Sequence, residues 1–269
     1  MNIEFARRTL AKEISFEGAG LHSGSPVSVK VEPGDRGIVF HCGSESVGAR
    51  PENVTDTSRC TRLGPVSTVE HIMSAFGGLG VTDAEVLLSA PELPALDGAS
   101  EAYCLELNRV GLVEIGRALF QLFERVFYVE DPIRIGLAKG EGHWRFDFVS
   151  GDRWPHDQSF ECTVTPENYA TEIAPARTFA FEEEVEPIRL AGLAKGLDER
   201  SALVLGVSGY INPPKWPDEP ARHKLLDLIG DLYLSGVPPH LLNVVGARSG
   251  HRTNVEAARR LADHAVISV

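Results

Sequence analysis

Two segments of this chain echo one another, and the echo limits the possible folds more than any other feature of the sequence. His71 is followed seven residues later by Gly78 and then by Gly80-Val81; His223 is followed seven residues later by Gly230 and then by Gly236-Val237. Each segment reads as a helix. In STVEHIMSAFGGLG the apolar Val69, Ile72, Met73 and Phe76 recur at helical spacing, and Gly77 and Gly78 end the stripe. The second helix starts near Pro220, with Asp218 or Glu219 available as a cap and Gly236, Pro238 and Pro239 as a stop. Strand signals stand before both: Val27, Val29 and Val31 alternate in SPVSVKVEP, the turn GDRG precedes GIVFH, and FERVFYVE opens a second set. A unit of strands and helices used twice predicts an α+β protein of two similar domains, 1–117 and 118–269.

Composition supports a folded chain and narrows its partners. With 43% hydrophobic and 24% charged residues and no low-complexity tract, 269 residues suffice for two cores. A formal net charge of −12 argues against nucleic acid or an anionic membrane, both of which require clustered Lys and Arg. An anionic ligand would therefore need a local basic pocket. MNIEFARRTL lacks the apolar centre of a signal peptide, and no run approaches the ~20 apolar residues of a membrane span, so the chain reads as cytoplasmic, and as a monomer. Cys42, Cys60, Cys104 and Cys162 form no CxxC pair, which leaves any metal to His and carboxylates.

Those residue types occur at suggestive spacings. On the second helix His223, Asp227 and Asp231 lie at i, i+4 and i+8, one face, with Leu225, Leu228, Ile229 and Leu232 on the other. A His and an Asp one turn apart can ligate one ion; a solvated polar face is the ordinary alternative. Glu70-His71 adds a ligand and an adjacent carboxylate, although Ser67-Thr68-Val69-Glu70 also fits a capping box in which Glu70 only bonds the Ser67 backbone. His251, in ARSGHRTNVE, follows an apolar strand and precedes a helix that Thr253 and Glu256 would cap; it is either a general acid held protonated by a carboxylate such as Asp231 or an exposed loop residue. Arg177-Thr178-Phe179 offers a hydroxyl and an aromatic face.

RRTL, GAGLHSG, STVEHIMSAFGGLGV, ELPALDGAS, EIAPARTFAF, RHKLLDLIGDLYLSG and ARSGHRTN, taken in order, closely resemble the UDP-3-O-acyl-N-acetylglucosamine deacetylases, zinc enzymes of lipid A synthesis. The resemblance spans nearly the whole chain. It implies two similar domains, each a sheet with a pair of helices, stacked so that the helices meet in the middle. It further implies one zinc ion, or iron in the same place, held by His71, His223 and Asp227, with Glu70 as general base, His251 as acid oriented by Asp231, and Thr178 stabilising the oxyanion. Lys224 and Arg248 would meet the diphosphate of an acylated UDP-sugar, and Phe179 would pack on its sugar ring.

Two stretches depart from the family pattern. Leu197 and Asp198 replace a Gly-Gly-Ser run, so that Leu197 with Asp198, Glu199 and Arg200 would narrow the acyl passage or change its polarity. The Phe-x-His-Pro segment that helps hold the uracil reads DRWP, which leaves either a stacking contact from Trp154 or a weaker hold on the nucleotide. The alternatives to the deacetylase are an enzyme for another sugar nucleotide, acylated or not, and a non-catalytic sugar-nucleotide binding protein.

Overall fold

Alternation in the sequence becomes alternation in burial. In a computed structural model, which describes residues 3–268, Val27, Val29 and Val31 point into the core from one strand while Ser28 faces solvent. The first half runs β1 (Ile3–Leu10), β2 (Ile14–Ala19), β3 (Pro26–Pro33), β4 (Ile38–Cys42), β5 (Glu45–Gly48), β6 (Val54–Asp56), β7 (Arg62–Leu63), α1 (Glu70–Leu79), β8 (Ala84–Leu88), α2 (Glu101–Val110) and β9 (Leu112–Leu122). The second runs β10 (Val126–Glu130), β11 (Ile133–Lys139), β12 (His143–Phe148), β13 (Gln158–Thr163), the short α3 (Pro166–Asn168), β14 (Thr178–Phe181), α4 (Glu182–Leu190), β15 (Ala202–Leu205), α5 (Glu219–Tyr233), β16 (Leu242–Ala247), α6 (His251–His264) and β17 (Ala265–Ser268).

The sheets repeat strand for strand. Five strands pair in the order β2-β3-β8-β4-β5 in one half and β10-β11-β16-β12-β13 in the other, and in each only the pairing of the third and fourth strands is parallel. α1 corresponds to α5 and α2 to α6. The echo between His71 and His223 is thus the trace of a fold used twice. Each half adds an insert: the pair β6-β7 in the first, and the parallel pair β14-β15 with α4 in the second.

Residue 117 falls inside β9, which pairs with β1 from the first half and with β17 from the end of the second. α1 packs directly on α5, and each helix also contacts the second helix of its own half. The echoed glycines serve this packing. A Cβ on Gly78 would stand 2.2 Å from the ring of the fully buried Tyr169, and one on Gly230 would stand 2.0 Å from the Glu70 carbonyl oxygen.

Three details of punctuation differ from the sequence reading. The carboxylate of Asp218 accepts from Arg222 and not from the first turn of α5, and Glu219 is buried in an ion pair with Arg177. α6 begins at His251, so that Thr253 lies in its first turn, where its hydroxyl accepts from the Gly250 backbone N–H; Glu256 pairs with Arg259. No helix among the described residues is long and apolar enough to cross a membrane. The four cysteines are free thiols, and burial pushes Cys60 and Cys104 up to about 12.

Candidate metal centre and active site

α5 is buried on almost every side, so its polar stripe faces protein and not water. His223 and Asp227 are each 2% exposed and Asp231 is 0% exposed, which removes the solvated-face explanation of their spacing. Opposite them, α1 opens with Glu70 and His71, both buried. The ligand atoms of His71, His223 and Asp227 all lie within 4.8 Å of one another. His71 Nε2 is 3.8 Å and His223 Nε2 3.4 Å from the same oxygen, Asp227 Oδ1.

The donors are in the state a cation requires. His223 Nδ1 donates to the Ala176 carbonyl at 2.9 Å; a carbonyl can only accept, so the proton sits on Nδ1 and Nε2 presents a lone pair. Burial, with the neighbouring His223, pushes His71 down to about 3, which leaves it neutral at ordinary pH. Asp227 Oδ1 is buried without a hydrogen-bond partner, a costly state for a carboxylate oxygen unless something positive occupies the gap. Its other oxygen accepts from Lys224 Nζ at 2.9 Å; although burial opposes ionisation, the charge of Lys224 leads in holding Asp227 below the usual carboxylate range. Two imidazoles and one carboxylate suit zinc, and iron equally.

Glu70 and His251 flank this centre. The backbone before α1 takes φ 66 at Thr68, a left-handed value, and the helix has no side-chain cap. Glu70 does not bond Ser67: its Oε2 accepts from the backbone N–H of Thr61 at 2.9 Å, so the capping-box alternative is not realised. Burial pushes Glu70 up to about 8, with His251 opposing and Asp231 and Asp227 adding to the rise. His251 Nδ1 donates to Asp231 Oδ2 at 3.0 Å, and Asn254 donates to the same oxygen at 3.0 Å.

Burial disfavours the His251 charge, but Asp231 and Asp227 outweigh it and push the imidazole up to about 9. A group raised above its ordinary value keeps its proton through neutrality and loses it as pH rises through about 9, and with it any capacity to act as acid. Activity is therefore expected to fall on an alkaline limb near pH 9. Asp231→Asn should move that limb to lower pH, because burial then acts with less opposition; a pH profile with the limb unmoved would dismiss Asp231 as the cause.

A cavity of about 840 Å³ opens over the centre. Glu70, His71, His223, Asp227 and His251 line its floor, and Thr178, Phe179, Lys224 and Leu197 line its walls. Lys224 Nζ lies 5.4 Å from the centroid of the Phe179 ring. Thr178 is placed from across the molecule: its N–H donates to the Gly98 carbonyl at 2.8 Å, from the ELPALDGAS segment. The insert wall is likewise strapped to GAGLHSG by Lys195 and Gly196 N–H bonds to the His22 and Leu21 carbonyls. Val185, Ile188, Leu193, Ala202 and Val204 form an apolar wing of the lining.

Leu197 and Asp198 both line the cavity, and Asp198 is tied into its own turn. The Asp198 carboxylate accepts from the N–H groups of Arg200 and Ser201 and from the Ser201 hydroxyl, within its own turn.

Two expected contacts do not reach the cavity. Trp154 packs edge-on against Tyr210, ring centroids 4.4 Å apart, and Arg248 is exposed on the turn between β16 and α6. Residues that spacing did not single out take part instead: His22, Arg59 and Lys195 bring basic groups to the wall. His22 lies within GAGLHSG, and both its ring nitrogens are buried without a partner. The motif carried the signal; nothing in its spacing distinguished the residue.

The sequence model of a family described as UDP-3-O-acyl N-acetylglycosamine deacetylase matches residues 7–263. A protein of Thermosynechococcus vestitus named UDP-3-O-acyl-N-acetylglucosamine deacetylase is 36% identical, covering 97% of this chain and 95% of that one. Proteins of the same name from Anaeromyxobacter dehalogenans and a Nostoc species are 37% and 33% identical, covering 98% and 95% of this chain and 91% and 98% of their own lengths.

Proposed function

The chain belongs to the UDP-3-O-acyl N-acetylglycosamine deacetylase family, and on that premise we propose that its cavity hydrolyses the acetamide of a UDP-3-O-acyl-N-acetylglucosamine, a step of lipid A synthesis, releasing acetate and the free amine. The observation that carries this reading is the buried, unpartnered Asp227 Oδ1 facing two imidazole nitrogens beside the Glu70 carboxylate.

His71, His223 and Asp227 would hold one divalent cation, zinc in this proposal with iron able to take the same ligands, and a cation there supplies a Lewis acid that polarises the amide carbonyl and makes water more acidic. Glu70 removes a proton from the attacking water as its oxygen bonds to the acetamide carbon. The Thr178 hydroxyl donates to the oxyanion that forms. His251, held protonated by Asp231, delivers a proton to the nitrogen, the carbon–nitrogen bond breaks, and acetate separates from the amine. Lys224, Arg59 and Lys195 place positive charge around an anionic nucleotide-sugar, which supplies the local basic pocket that a net charge of −12 otherwise denies. The apolar wing accommodates the acyl chain.

Incubating the protein with acylated UDP-N-acetylglucosamine, with and without a chelator, tests this by mass spectrometry. Acetate release is expected only where the cation is present and is expected to return when zinc or ferrous iron is restored. Full turnover after the metal has been stripped would refute it. The substrate lacking its acyl chain should be hydrolysed more slowly; equal rates would show that the wing is not used.

A further inference from the structure

Thr61 has no part in the chemistry described above, yet it touches both the proton acceptor Glu70 and the carboxylate, Asp231, that orients the proton donor His251. It is fully buried in the segment leading from β6 into β7. Its backbone N–H donates to Glu70 Oε2 at 2.9 Å, its carbonyl accepts from the Val69 N–H at 3.2 Å, and its hydroxyl donates to Asp231 Oδ1. Glu70 belongs to the first half of the molecule, and Asp231 with His251 to the second. Among the described residues of the first half, Thr61 is the one that bonds the Asp231 side chain.

We propose that Thr61 is a positioning residue that fixes the proton-donating pair Asp231–His251 relative to the proton acceptor Glu70. The argument is one of rotational freedom. His251 and Asn254 both bond Asp231 Oδ2, so they leave the carboxylate free to swing about that oxygen. The Thr61 hydroxyl on Oδ1 removes this freedom, and the imidazole, which takes its orientation from Oδ2, then points at one place. Because the same residue holds Glu70 through its rigid backbone, the separation of donor and acceptor across the two halves is set by the dimensions of a single amino acid. A deacetylase must deliver its proton to the nitrogen on the side from which the amine leaves, so this alignment bears on the reaction step and not on substrate capture. The inference rests on the deacetylase reading.

Thr61→Val tests it. Valine keeps the shape and the backbone N–H to Glu70 and removes only the hydroxyl, whereas Thr61→Ser keeps the hydroxyl. Loss of such an outer hydrogen bond is expected to lower kcat about 10- to 100-fold. KM and bound metal should remain at parental values, and the serine variant should recover most of the rate. The His251 ring-proton resonances, followed by NMR, should shift in the valine variant and return in the serine variant. If valine does not fold, Thr61→Ala removes the same hydroxyl and is read in the same way. A valine kcat equal to the parent's, a KM that rises as kcat falls, or a serine variant no better than valine would each overturn the proposal. The NMR shift separates the two failures: parent protein that releases no acetate sinks the deacetylase reading, while unmoved His251 resonances sink the role of Thr61 alone.

Discussion

Exchanging Glu70 for glutamine is expected to leave the metal in place and to lower kcat by about 10²- to 10⁴-fold, the range over which a positioned proton acceptor acts. Glutamine has the size of glutamate and retains an acceptor oxygen for the Thr61 N–H, so the start of α1 and its adjacent ligand His71 should not move. What it lacks is basicity. Burial pushes the Glu70 carboxyl up to about 8, toward the pH at which a group gives and takes protons readily. Steady-state turnover together with metal analysis of the purified variant decides the matter. Undiminished turnover would make Glu70 a structural acceptor for Thr61, and loss of metal would make it part of the cation site.

The second large effect is expected at Gly230, which does not line the cavity. Alanine favours a helix interior over glycine by about 1 kcal/mol, so a variant with room for its methyl group would gain stability. There is no room. The added Cβ would stand 2.0 Å from the Glu70 carbonyl oxygen and 3.1 Å from the Ser74 nitrogen, both backbone atoms of α1. The two helices must separate, at a cost of about 3 kcal/mol or roughly 6–12 °C in Tm. Separation also draws Glu70 and His71 away from His223, Asp227 and Asp231, so Gly230→Ala should bind the metal more weakly as well. Thermal unfolding and metal content measured on one sample would show it, and an unchanged or higher Tm would disprove the close approach.

These predictions turn on contacts of different origin. The strands of Val27, Val29 and Val31, the stripe of α1 and the limits of α5 could be read from order and spacing, because a periodic apolar face is a local property of the chain. The repeat of His71–Gly78 in His223–Gly230 announced a fold used twice, and the motifs around these residues announced the reaction class. The donor types were equally open to reading: with no CxxC, any metal had to sit on imidazole and carboxylate.

Which of the local alternatives held was decided in three dimensions. Glu70 meets Thr61 in place of Ser67 because Thr68 takes a left-handed turn ahead of the helix. The polar face of α5 is withdrawn from bulk solvent because α1 packs on it, and Trp154 turns to Tyr210 and not to the cavity. Thr61 was invisible beforehand, since its bond to Asp231 spans 170 positions. Spacing encodes what a residue does to neighbours within a turn or a strand pair. The convergence of α1 and α5, and with it the cation site, depends on how closely two backbones can approach, which is a property of packing and is written at no single position of the chain.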